Sequence, residues 1–324
     1  MHSPKYFQER IGEELAGLSF PSTPSELYEP IRYMMSLGGK RIRPALVLMS
    51  NELFGSDPEK IIKVALGLEV FHNFTLMHDD IMDRAPLRRN KSTVHTKWNP
   101  NIAILSGDTM FVMSCQLVMN TDPKYSQEVL SLFFKTATQV CEGQQLDMNF
   151  ESRGEVSINE YIEMISLKTA VLLGCSLKIG AILAGAKSDD TELMYSFGKN
   201  LGIAFQLHDD ILDLYGEAEK FGKQVGGDIL SNKKTILLLL ALSHENKQEV
   251  DKLKVLINNS VLEPEKKIVA VHEIFERLEI RKKAEQEMEK YFKLALHSFQ
   301  KVKVEDSRKE ILSNLAERLM VRES

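Results

Sequence analysis

Two acidic pentads, Asp79-Asp80-Ile81-Met82-Asp83 and Asp209-Asp210-Ile211-Leu212-Asp213, share the pattern DDxxD, and each follows a histidine in an apolar, helix-like stretch. On a helix, residues four apart stack on one face, so Asp79 projects with Asp83 and Asp209 with Asp213. Carboxylates this close repel one another and hold protons unless a cation sits among them. An all-oxygen cluster suits a hard ion that keeps several waters and shares its remaining sites with substrate phosphates, which describes Mg²⁺. A solvated acidic helix surface would explain one copy. Two copies arise by chance in well under about one in a hundred chains of this length and ordinary composition.

Basic residues near loops and helix ends answer these carboxylates. Gly38-Gly39-Lys40-Arg41-Ile42-Arg43-Pro44 sets three cations behind a glycine pair suited to end a helix. Arg88-Arg89 follows the first motif, Lys168 stands among mostly apolar neighbours, and Lys223 and Lys233 lie in and just beyond the glycine-rich stretch from Gly222 to Asp228. Arginine suits bidentate contact with phosphate, whereas lysine acts as a mobile point charge. Taken singly, each cation could be an ordinary solvated charge, Lys168 could snorkel from a core helix, and the glycine pair could be only a helix stop. Together they supply enough cations for two diphosphates beside two metal platforms.

The elements that must position these residues read as helices. Asp57-Pro58 and Asp122-Pro123 each give an N-cap followed by an N1 proline. Ser157-Ile158-Asn159-Glu160 is a capping box, and the segment after it runs apolar to Gly185. The stretch Ser196 to Tyr215 carries the second acidic motif, and Glu263 to Arg322 is charged and periodic, as outer helices are. His72 precedes Asp79 by two helical turns and shares its stripe, while Gln206, Asp209, Asp210 and Asp213 fall within one face. Alternating strand patterns and internal repeats are absent, and no Pro/Ser-rich linker divides the chain, which predicts one all-α domain over residues 1–324. The motifs occupy residues 28–240 of it, with further helices over 241–324. The loops of interest are Gly38-Gly39, Arg84 to Asn101 and Gly216 to Thr235.

The 324 residues carry a net charge of −5, which gives no nucleic-acid footprint. Three cysteines without metal-ligand spacing read as buried thiols. The polar start and apolar runs no longer than Ile236 to Leu242 predict a cytoplasmic protein with no membrane span.

From about Tyr28 to Leu240 the sequence resembles the trans-isoprenyl diphosphate synthases, or polyprenyl synthetases. The resemblance rests on GGKRIRP, LMHDDIMD followed by the Arg pair, Gly107-Asp108, GQQLD at 143–147, Lys168-Thr169, FQLHDDILD, and GKQVGGD with Lys233, all in the family's order and spacing. It implies an all-α bundle around a central cavity, the isoprenoid synthase fold. It implies that Asp79, Asp83 and Asp209 are Mg²⁺ ligands, with Asp80 and Asp213 nearby or acting through water, and three ions when substrate is bound. Arg88, Lys168, Thr169, Gln206, Lys223 and Lys233 match positions that hold the allylic diphosphate, and Lys40, Arg43, His72 and Arg89 match positions that hold isopentenyl diphosphate. Asp79, Asp83, Arg88, Lys168, Asp209 and Lys223 are thereby the expected catalytic set, in a homodimer.

Two departures stand out: Asn90 follows the Arg pair where the family usually has glycine, and the first motif lacks the four-residue spacing of many bacterial short-chain enzymes. Phe74 matches a position where an aromatic side chain limits product length, and small Thr75 follows it, which resembles enzymes making C20 rather than those with two adjacent aromatics making C15; a C15 or longer product is the alternative. Phe71 is the next candidate for the cavity floor. A terpene cyclase would have no use for GGKRIRP, a head-to-head synthase resembling squalene synthase would carry another acidic pattern, and a noncatalytic partner subunit would lack one or both DDxxD motifs.

Overall fold

The computed structural model describes residues 1–216, 226–259 and 261–320. Almost every element is a helix: α1 Pro4–Ala16, α2 Ser25–Ser36, α3 Ile42–Leu53, α4 Ile62–Met82, α5 Val94–Lys97, α6 Pro100–Val118, α7 Pro123–Ser152, α8 Ile158–Ile165, α9 Val171–Leu183, α10 Ser188–Tyr215, α11 Gly227–Leu230, α12 Ile236–Leu242, α13 Lys247–Ile257, α14 Pro264–Arg277, α15 Ile280–Gln300 and α16 Asp306–Met320. The local signals work as read. Asp57 accepts from the Glu59 amide at the head of a 3₁₀ turn, Pro58–Ile61, that leads into α4. Asp122 accepts from the Lys124 amide where α7 starts. Ser157 and Glu160 form both halves of the capping box.

The chain divides into two compact units: Met1–Lys135 with Cys175–Tyr195 and Val302–Leu312, and Thr136–Gly174 with Ser196–Lys301 and Ser313–Ser324. In the first unit α4 is buried nearly all round, from Ile62 to Met77, and packs mainly on α6. Two glycines allow the approach: a Cβ on Gly67 would lie 2.7 Å from Val118, and one on Gly107 would meet the His78 ring. α3 is buried from Pro44 to Asn51, and Ser50 and Asn51 donate to the carbonyls of Leu177 and Gly180. In the second unit Phe150, Tyr161, Leu207, Ile211, Ile236 to Leu239, Ile274 and Phe275 make the core. There α12 is almost entirely apolar because it is buried on every side.

Two expectations need correction. A short hairpin does form, β1 Leu87–Arg88 with β2 Lys91–Ser92, and its turn residues Arg89 and Asn90 both have positive φ (52° and 61°). This is the twist-matched two-residue turn, and asparagine tolerates its conformation better than most residues. Of the three thiols only Cys175 is buried; Cys115 is half-buried and Cys141 exposed. Two helical stretches, Pro100–Val118 and Ile158–Leu183, are long and apolar enough to cross a membrane by length and composition, the second being 78% buried inside the protein.

Candidate functional site

The first acidic motif closes α4. Asp79 lies in the last turn, half-buried, and exposed Asp83 is the C-cap, its amide donating to the Asp79 carbonyl at 2.8 Å. Asp80 points the other way. It is buried and gripped by Arg88, whose Nε and Nη2 donate to its carboxylate at 2.8 and 2.7 Å, which docks the hairpin against the helix. The next hairpin residue, Arg89, donates to the Gly38 carbonyl, and its guanidinium lies where a Cβ on Gly39 would be, at 2.8 Å. With φ of 132° at Gly39, the glycine pair is a seat for an arginine as well as a helix stop.

Arg41 pairs with Glu69 of α4 and donates to the Met35 carbonyl at 3.0 Å, which fixes the turn into α3. Arg43 Nη1 lies 3.2 Å from His72 Nε2, and a guanidinium can only donate, so that histidine nitrogen is an unprotonated acceptor. Burial, then Arg43, Arg89, Arg88 and Arg41, push the His72 pKa well below the ordinary histidine value. Burial also draws down the Arg43 guanidinium, whose buried Nε has no hydrogen-bond partner. Thus Arg43, Arg88, Arg89 and His72 come together as one electropositive pocket, with Lys40 exposed on the same loop.

Below the motif, Phe74 contacts Phe71, Phe111 and His78 (ring centroids 5.7, 5.4 and 4.8 Å apart), and Phe71 contacts Phe133 at 5.3 Å. Phe71 is 1% exposed whereas Phe74 is half-buried, so Phe74 is the member that can face a ligand.

The second unit repeats the logic with different partners. Gln206, Asp209 and Asp213 are half-buried on α10, while Asp210 is buried and accepts from Tyr161 Oη and the Ile236 amide. Asp213 accepts from the Asp228 amide at 3.0 Å and so holds the head of α11. Lys168 donates to Asp147 at 2.6 Å, and Lys233 stands 3.8 Å from Asp228. Burial pulls the Lys233 ammonium down, but Asp228, Asp210, Asp147 and Asp213 outweigh it and push its pKa up to about 12. Burial raises Asp210 to about 6, against the pull of Lys233 and Tyr161. Lys168 and Lys233 therefore join a mixed cluster of lysines and aspartates, and Thr169, next to Lys168 in the chain, is half-buried. Lys223 lies outside the described residues.

Both acidic motifs sit at the C-terminal ends of their helices, where unpaired carbonyls and the macrodipole favour a cation. Among the described residues no three His, Cys, Asp or Glu side chains close around an ion by themselves. One or two carboxylates at each end, with substrate phosphate and water completing the shell, is the arrangement Mg²⁺ prefers, so the donor set fits it. Tyr161, Asp147 and Glu69 were not singled out from sequence, and Arg41 was read only as one of three cations behind the glycine pair. Glu69 had a signal, a lone carboxylate within an apolar helix, and Asp147 had its place in GQQLD; Tyr161 had none beyond a capping box nearby.

The polyprenyl synthetase family profile matches residues 24–275. The chain is 35% identical over 316 residues to the short chain isoprenyl diphosphate synthase of Methanothermobacter thermautotrophicus, covering 97% of this chain and 95% of that one. It is 39% identical over 283 residues to the geranylgeranyl diphosphate synthase of Sulfolobus acidocaldarius, covering 86% and 84%. A crystal structure of a geranylgeranyl pyrophosphate synthase superposes with a TM-score of 0.95 at 42% identity over the full length of both chains.

Proposed function

The chain belongs to the polyprenyl synthetase family, with the all-α isoprenoid synthase fold, and we propose that it condenses isopentenyl diphosphate head-to-tail with an allylic diphosphate to give geranylgeranyl diphosphate, C20. The observation that carries this reading is the cation pocket around His72. Arg43 and Arg89 are held by a neutral imidazole and a backbone carbonyl rather than by carboxylates, so a positive field awaits a polyanion.

Asp79, Asp83 and Asp209 hold Mg²⁺ in this reading, and the metal supplies Lewis-acid stabilisation of the leaving diphosphate. Arg88, Lys168, Thr169, Gln206, Lys223 and Lys233 bind and orient the allylic diphosphate and take up charge as its C–O bond breaks. Lys40, Arg43, His72 and Arg89 fix isopentenyl diphosphate so that its double bond attacks the cation at short range. The proton lost afterwards goes to the departing diphosphate. Phe74 and its aromatic neighbours exclude water and limit the growing chain. The exposed apolar residues of α6 and its C-cap, Ile104, Leu105, Val112 and Met119, recur on one face and support a homodimer.

Steady-state kinetics with each substrate varied in turn tests the two subsites. Lys40→Ala and Arg43→Ala raise the KM for isopentenyl diphosphate more than that for the allylic partner. Lys168→Ala and Lys233→Ala do the reverse or chiefly lower kcat. Equal effects of all four on both substrates would contradict the assignment.

A further inference from the structure

Between α8 and α9 the helix makes one wide π turn, Ser166–Ala170, and that turn carries Lys168 and Thr169. Such turns are rare and concentrate at functional sites. Two glycines face this one. A Cβ on Gly143 of α7 would run into the backbone nitrogen of Lys168 and lie 2.6 Å from its Cα and 2.7 Å from the Leu167 carbonyl carbon. A Cβ on Gly202 of α10 would lie 2.7 Å from Ala170 Cα and 2.8 Å from Ala170 Cβ. Neither glycine has a positive φ, and both occupy helix interiors, where glycine is a poor choice. Space is what they provide.

α7 also supplies the anchor for the side chain. Asp147, one turn beyond Gly143 on the same face, takes the Lys168 ammonium at 2.6 Å. We propose that Gly143 and Gly202 are positioning residues that grip the π turn from α7 and α10 and so aim Lys168 and Thr169. This rests on the reading above, in which those two residues hold the allylic diphosphate. A shift of the turn by ~1 Å moves them off their target, and misplacement on that scale costs roughly 100-fold in rate.

Tight glycine packing also occurs where no site residue is in the contact, which provides a matched control. In the other unit a Cβ on Gly180 would run into the Val47 carbonyl and lie 2.8 Å from Ser50 Cβ. Gly180→Ala tests the cost of a backbone collision alone.

The experiment compares wild type, Gly143→Ala, Gly202→Ala, Gly202→Ala with Ala170→Gly, and Gly180→Ala. It measures the thermal midpoint, kinetics with both substrates, and calorimetric binding of inorganic pyrophosphate with Mg²⁺. Folded Gly143→Ala and Gly202→Ala should lose about 100-fold in kcat/KM for the allylic diphosphate and bind pyrophosphate more weakly, with the KM for isopentenyl diphosphate within about twofold of wild type. Removing the Ala170 methyl should restore part of the Gly202→Ala loss. Gly180→Ala should lower only the thermal midpoint. If Gly143→Ala does not fold, the Gly202 pair decides. The inference is overturned if both site variants behave like Gly180→Ala, or if the two KM values rise together. Wild-type enzyme that condenses no allylic diphosphate would instead refute the functional reading, and the inference with it.

Discussion

His72 accepts from Arg43 and is surrounded by the fields of three further arginines, so its imidazole stays neutral in the substrate-free fold. A histidine whose folded pKa is depressed binds its proton better when unfolded. Stability is therefore fully present above the ordinary pKa of about 6.5 and drains away as pH falls from there toward the folded value. Thermal midpoints measured without substrate should accordingly drop more steeply below about pH 6.5 for wild type than for His72→Gln. Parallel curves for the two proteins would contradict the depressed pKa. At this scale the two acidic motifs and the cations near them stand out by residue type and spacing, whereas the metal and diphosphate roles expected of Asp79, Asp83, Asp209 and Arg88 come from the family resemblance. The inward roles of Asp80 and Asp210 could not be read from sequence. A DDxxD string does not say which aspartate meets Arg88 or Tyr161; helix rotation against its neighbours decides that.

α4 carries the first acidic motif at one end and an aromatic cluster one to two turns below, with Phe111 of α6 packed against Phe74. One helical turn advances 5.4 Å, about the length of one isoprene unit, so under the proposed function a ring at this depth would stop growth after a few condensations. Phe74→Ala should shift the main product from C20 to longer chains, and Phe71→Ala should add to that shift. Because Phe74 is only half-buried, its loss should destabilise by less than the ~3–5 kcal/mol typical of a fully buried ring. An active, folded Phe74→Ala enzyme with a wild-type product distribution, read by mass spectrometry, would place the floor elsewhere. Helix caps at Asp57, Asp122 and Ser157 were legible because capping is local. The π turn was not, since it depends on glycines from α7 and α10 that approach only in the folded protein. The hairpin was missed because two-residue strands leave no alternation to detect.

Over the whole molecule, the apolar stripe on α6 predicts self-association. Light scattering at micromolar concentration should give about twice the 36.8 kDa chain mass, and a mass near that of one chain would refute the homodimer. The all-α class was visible in the sequence because helical caps and periodicity repeat along nearly its full length. The partition into two compact units was not, because four of their five boundaries fall inside helices rather than at linkers. In the proposed reaction the aspartates of both motifs serve one Mg²⁺-dependent condensation. Its most direct test is the yield of prenyl diphosphate from isopentenyl and farnesyl diphosphates with Mg²⁺, after chelation, and with folded Asp79→Ala and Asp209→Ala. C20 product should form, disappear on chelation, return on adding Mg²⁺, and fall by about two orders of magnitude or more in each variant, as expected when a main electrostatic contribution is removed. Full turnover without divalent metal, or unchanged turnover in either variant, would contradict it.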